Sequence, residues 1–190
     1  MMQHKKIVDM VEIALFAAVL CILSQISIPT PWGVPFTLQT LAVALTAYTL
    51  GWKKGTLSVA VYLALGAVGL PVFSSFGSGI ATLVGMTGGY LWGFLGMAAL
   101  CGRGADWAFR APSKKHTFLC ILFSILGLAA CHIPGVLQFA LVSDSTLGSA
   151  FLVGSAPYLL KDAVSMVLAF GLATAIRKAV RHLPSAQKTT

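Results

Sequence analysis

The sequence predicts an all-α integral membrane protein: six transmembrane helices in a single membrane domain over residues 1–190, with N- and C-termini cytoplasmic and a ligand pocket near the extracellular face. Three observations predict it. The chain is 57% apolar, only 9% charged and has a mean hydropathy of +0.88, whereas soluble domains carry about 25% charged residues. Its Lys and Arg residues fall in short clusters separated by long uncharged runs. The connections between those runs alternate in chemistry, basic on one side and rich in Pro, Gly, Ser and Thr on the other.

A helix needs about 20 residues to cross a hydrocarbon core about 30 Å thick. Residues 8–28 form a first span, and Asp9 and Glu12 near its start argue for an uncleaved helix rather than a signal peptide. Ile13 to Trp52 contains no Asp, Glu, Lys, Arg or His over 40 residues, enough for two spans. Within it, Ile28 to Thr40 holds three prolines, one glycine and no charge. Proline removes a backbone donor and interrupts helix. Unpaired amides are not tolerated against lipid, so this segment must be buried in protein or line a cavity. Span two, 36–51, is short: Phe36 to Leu50 rises only about 22 Å at about 1.5 Å per residue, and the proline-rich stretch has to supply the missing depth.

Gly55 to Gly102 gives 48 further residues without Asp, Glu, Lys or Arg and thus spans three, 55–72, and four, 85–102. Their connection, Pro71 to Met86, is uncharged and can fold over the outer end as a lid. Gly85, Gly89, Gly93 and Gly96 share one side of span four, a surface for close helix packing. Spans five, 118–141, and six, 157–176, follow a basic loop. With this count twelve of the 13 Lys and Arg residues share one face, which the positive-inside rule makes cytoplasmic. Basic clusters between apolar runs set topology, and no nucleic-acid partner is expected despite a net charge of +8. Membrane lipid is the surrounding partner.

The exception to the charge count is Lys161, next to Asp162 at the start of span six. A charge within a span costs about 2.5–3.5 kcal/mol on insertion scales, so such a pair marks a functional site. Helical spacing puts Ser165 on the same face. The outer cavity is expected to have aromatic walls from Trp32, Phe36, Phe76 and Tyr90, and polar groups from Thr37, Gln39, Thr40, Thr87, Lys161 and Asp162. That combination suits a small, partly apolar ligand with hydrogen-bonding groups. The four cysteines match no metal or disulfide spacing and read as apolar filler. No metal site and no cofactor are expected. There is no Gly-x-x-x-x-Gly-Lys-Ser/Thr phosphate loop, so capture outside requires a partner that supplies energy.

Several motifs carry a resemblance. Ile28-Pro29-x-Pro31, Val34-Pro35-Phe36-Thr37-Leu38-Gln39-Thr40-Leu41, Leu50-Gly51-x-Lys53-x-Gly55, Leu70-Pro71-Val72-Phe73 and Thr87-Gly88-Gly89-Tyr90 closely resemble the BioY family. Its members are biotin-binding S components of energy-coupling factor transporters in the cell membrane. The resemblance implies biotin as transported ligand, a transmembrane T component and two cytoplasmic ATPase subunits as partners. It also implies that Ala14 and Ala18 are the Ala-xxx-Ala motif docking on the T component, and that Gln39, Thr40, Tyr90 and Asp162 lie in motifs of the vitamin site. The chain departs from the family at Met86, often Pro, and at Ser165, commonly Lys. Lys161, one turn earlier, is expected to replace that lysine. Two other readings remain at this stage: an intramembrane serine hydrolase using Ser74, Ser75 or Ser78 with His132 as base, for which no orienting acid is evident, and a facilitator working without ATPases.

Overall fold

The computed structural model describes residues 2–31 and 33–182; Trp32, expected as a cavity wall, and Lys188 lie outside the described residues. The described chain is almost entirely helical. The helices are α1 (Met2–Ser24), α2 (Gln39–Ala67), α3 (Gly79–Val84), α4 (Gly88–Arg110), α5 (Lys114–Val142), α6 (Leu147–Gly154) and α7 (Ala156–His182). A two-residue antiparallel ladder, β1 (Ser27–Ile28) with β2 (Phe36–Thr37), closes the proline-rich stretch into a hairpin, with Ser27 opposite Thr37 and Ile28 opposite Phe36. This ladder was not anticipated. It gives backbone groups the partners that proline-broken helix cannot supply. Among the described residues three helical segments are long and apolar enough to cross a membrane: Gln3–Ser24, Lys114–Val142 and Ala156–Val180.

Helix α2 is two helices rather than one. Gly51 has φ +80° and ψ 178°, a conformation that L side chains rarely adopt, and the chain reverses there. A continuous helix would put Gln39 and Tyr62 about 34 Å apart at about 1.5 Å per residue. Instead the Gln39 Nε2 donates to the Tyr62 hydroxyl at 2.9 Å. The reversal is tight enough that a Cβ on Gly55 would lie 2.9 Å from the Ala47 Cα. The second arm begins with its first amides unpaired, and the Asp106 carboxylate of α4 accepts from the Trp52 N–H at 3.3 Å.

Helices α4 and α5 pack through backbone contact. A Cβ at Gly93 would lie 2.6 Å from the Cys131 Cα, and one at Gly89 would lie 2.1 Å from the Pro134 carbonyl oxygen. In lipid the hydrophobic effect does not drive helices together, so this close approach of small residues supplies the attraction. The stripe is shorter than expected. Gly85 lies ahead of α4 and would meet only the carbonyls of Ala81 and Thr82.

Two ends of the molecule differ in chemistry. At one end Lys54 pairs with Asp9, at 3.2 Å, and with Glu12 of α1; Arg103 lies over the rings of Trp52 and Trp107; and Arg177 of α7 lies over Phe109 of α4. At the other end Gln25 bonds to the Pro71 carbonyl and the Phe76 N–H, while the Ser27 and Ser75 hydroxyls are 3.0 Å apart. These contacts tie the proline-rich hairpin to the 71–86 connection. The connection between the expected spans five and six contains α6, whose Thr146 hydroxyl caps it by accepting from the Ser149 N–H.

Candidate functional site

A cavity of about 390 Å³ lies at the end remote from the basic clusters, within the roughly 300–1,000 Å³ typical of small-molecule sites. The hairpin contributes Pro29, Gly33, Val34 and Pro35 to its wall, and the first arm of α2 contributes Gln39 and Thr40. Helices α4, α5 and α7 bring Tyr90, His132, Lys161 and Asp162. The hairpin is held over the cavity from α7: the Tyr158 hydroxyl donates to the Val34 carbonyl, and Lys161 Nζ donates to the Thr37 carbonyl at 2.8 Å.

Gln39 in the cavity wall is backed by a chain of neutral hydrogen-bonding groups. The Gln39 amide donates to the Tyr62 hydroxyl, and the Ser24 hydroxyl lies 2.9 Å from the same oxygen. The single Ser24 proton is committed to the Leu20 carbonyl at 2.5 Å, so Tyr62 supplies the proton between the two hydroxyls. Thr37 Oγ1 donates to Gln39 Oε1 at 3.1 Å, which fixes the amide with its N–H toward Tyr62. No member of this chain is left without a partner, as buried polar groups require.

The same lining includes a charged cluster. Asp162 is 3% exposed, and a buried carboxylate needs paired charge and aligned donors to remain ionised. Its Oδ2 lies 3.1 Å from His132 Nε2 and its Oδ1 lies 2.5 Å from Lys161 Nζ. Lys161 also stands 5.5 Å above the Phe36 ring, a cation–π contact. His132 Nδ1 lies 2.8 Å from the Ser155 hydroxyl, and the Tyr90 hydroxyl donates to the Gly154 carbonyl at 2.7 Å.

Of the expected site residues, Thr37, Gln39, Thr40, Thr87, Tyr90, Lys161 and Asp162 line this one cavity. Three do not. Phe76 is 69% exposed, because Ser75 and Phe76 both adopt left-handed backbone, φ +55° and +59°, and the turn throws the ring outward. Phe73 takes its place, packed edge-on against Tyr62 at 5.5 Å where the missing side chain of Gly66 leaves room. Phe36 packs on Tyr158, centroids 4.9 Å apart, behind the wall. Ser165 is buried one turn along α7 from Lys161, outside the lining.

Sequence reasoning missed Phe94, Cys131 and His132 as lining residues. A histidine two residues before a proline in an otherwise apolar helix was the available signal, and it gave no direction for the ring. The expectation that no acid orients His132 is corrected by Asp162. A hydrolytic centre still does not result: Ser155, the hydroxyl on His132, is 0% exposed. Neither Ser74, Ser75 nor Ser78 is hydrogen-bonded to His132; Ser75 pairs with Ser27.

An all-helical membrane protein with a small-ligand cavity, apolar in its walls and charged at one edge, is the class that fold and site define. Comparison with known proteins narrows it: residues 1–182 match the model of the BioY family, and the chain belongs to that family. It is 39% identical over 171 residues to the biotin transporter BioY of Thermotoga maritima, covering 90% of this chain and 96% of that protein. It is 33% identical over 181 residues to the biotin transporter BioY2 of Lactococcus lactis subsp. cremoris, covering 95% and 96%. A crystal structure of the S-component for biotin from an ECF-type ABC transporter superposes with a TM-score of 0.81, at 25% identity over 94% of this chain and 95% of that one. These relatives are named as transporters, not enzymes.

Proposed function

We propose that this chain is the biotin-binding S component of an energy-coupling factor importer in the cell membrane. The observation that carries the reading is the cavity itself, whose lining holds both the Gln39 amide and the Lys161–Asp162–His132 cluster. Biotin has a ureido ring with two N–H donors and a carbonyl, an apolar thiophane, and a valerate carboxylate. A carboxylate can only accept, so Asp162 suits the ureido N–H groups, while the Lys161 ammonium and the Gln39 amide are donors for its oxygens. Phe73, Leu91 and Phe94 suit the thiophane.

Six spans follow if the two arms of α2 each count as one beside α1, α4, α5 and α7. The positive-inside rule then puts both termini in the cytoplasm and the cavity toward the outside. Ala14 and Ala18 are exposed on α1 whereas Ala17 is buried, leaving the small-residue pair for a transmembrane T component. Two ATPase subunits would act through that component. The test is isothermal titration of the purified chain with biotin. A saturable one-to-one isotherm is expected for the native protein. Asp162→Ala is expected to weaken binding by about 1–3 kcal/mol, because the ligand donor loses its acceptor; equal affinities would reject the site.

A further inference from the structure

The carboxylate at the edge of the cavity is gripped from behind. We infer that His132 is a specificity-determining positioning residue that holds Asp162 as a pure acceptor for ligands presenting N–H donors; the inference rests on the biotin reading above.

Both ring nitrogens of His132 are engaged. Asp162 Oδ2, 3.1 Å from Nε2, can accept only, so Nε2 carries the proton. Nδ1 lies 2.8 Å from the Ser155 hydroxyl, which is itself 3.1 Å from the Tyr90 hydroxyl. Ser155 is fully buried, and the Tyr90 ring stands edge-on to the imidazole, centroids 5.9 Å apart. The imidazole can therefore neither flip nor tilt without breaking a buried bond. Its hold on Oδ2 commits one carboxylate oxygen, while the other, Oδ1, has no aligned hydrogen bond and faces the Lys161 ammonium. Lys161 has a second bond, to the Thr37 carbonyl, to which it can retreat when a ligand N–H takes Oδ1. Without His132, Oδ2 would face a dry site unpaired. The acid would then rotate or take up a proton, and a protonated acid presents a donor where the ligand also presents one.

The test is calorimetric titration of the detergent-purified protein with biotin across a double-mutant cycle: native, His132→Ala, Asp162→Ala and both together. His132→Ala is expected to weaken binding about tenfold. In the Asp162→Ala background the same change is expected to alter affinity less than about twofold, because the histidine acts through the acid. His132→Gln can donate to Asp162 and accept from Ser155, and is expected to recover most of the loss. Native-like affinity in His132→Ala, or penalties that multiply in the double variant, would overturn the inference. Should His132→Ala fail to fold, Ser155→Ala is the substitute, with an expected weakening of about threefold; unchanged affinity there overturns it equally. A native protein that gives no biotin isotherm overturns both this inference and the reading beneath it, whereas native binding with an inert His132 overturns this inference alone.

Discussion

Tyr62 joins three segments that are distant in sequence: its hydroxyl accepts a hydrogen bond from the Gln39 amide and lies 2.9 Å from the Ser24 hydroxyl. Replacing it by Phe removes one oxygen and strands a buried donor on Gln39, a loss of about 1–3 kcal/mol. Tyr62→Phe is therefore expected to lower both the thermal midpoint in detergent and the affinity for biotin; melting curves and titrations identical to native would contradict this. Lys161→Ala removes the ammonium paired with Asp162 and a cationic donor from the cavity lining. About tenfold weaker biotin binding is expected by titration, and native affinity would remove Lys161 from the ligand's partners. At this scale the sequence was informative where charge was scarce. Lys161 and Asp162 stood out because a bilayer penalises them. His132 did not, because its significance lies in two partners, at positions 155 and 162, whose approach depends on how α5 meets α7.

The helices show which local patterns can be read and which cannot. Long uncharged runs identified most helices, since apolar length is a one-dimensional property of the chain. The reversal at Gly51 was legible as a basic turn between two spans, but its tightness was not: that depends on Gly55 meeting Ala47 and on Asp106 arriving from α4. Gly51→Ala would force a side chain onto left-handed backbone and set its Cβ 2.4 Å from Asp106 Oδ1. A fall in thermal midpoint is expected, larger than for Gly148→Ala, where a Cβ would meet nothing within 4 Å; equal midpoints would contradict the packing. Helix α6 escaped notice because Gly148, Ser149, Gly154 and Ser155 resemble loop composition. The Thr146 cap and the apolar Ala150 to Val153 were the signals that favoured helix. Phe76 was misplaced for a related reason: two successive non-glycine residues in left-handed backbone are rare and have no compositional mark.

Across the whole molecule, charge separates the two ends. Lys54, Arg103 and Arg177 gather at one end, and the cavity opens among uncharged segments at the other. On the proposed reading, capture and delivery use different surfaces, and the two should be separable by mutation. Ala14→Trp and Ala18→Trp alter an exposed face of α1 remote from Asp162 and are expected to leave biotin affinity native while abolishing uptake in cells; uptake at native rates would exclude the docking face. Vesicles containing this chain alone should bind biotin without accumulating it, and accumulation would favour a facilitator. The most direct measurement is a crystal structure of the protein with biotin. The expected density puts the ureido ring within hydrogen-bonding distance of Asp162, with the thiophane among Phe73, Leu91 and Phe94. Biotin seated outside this cavity, or bound within it with no contact to Asp162, would contradict the proposed site.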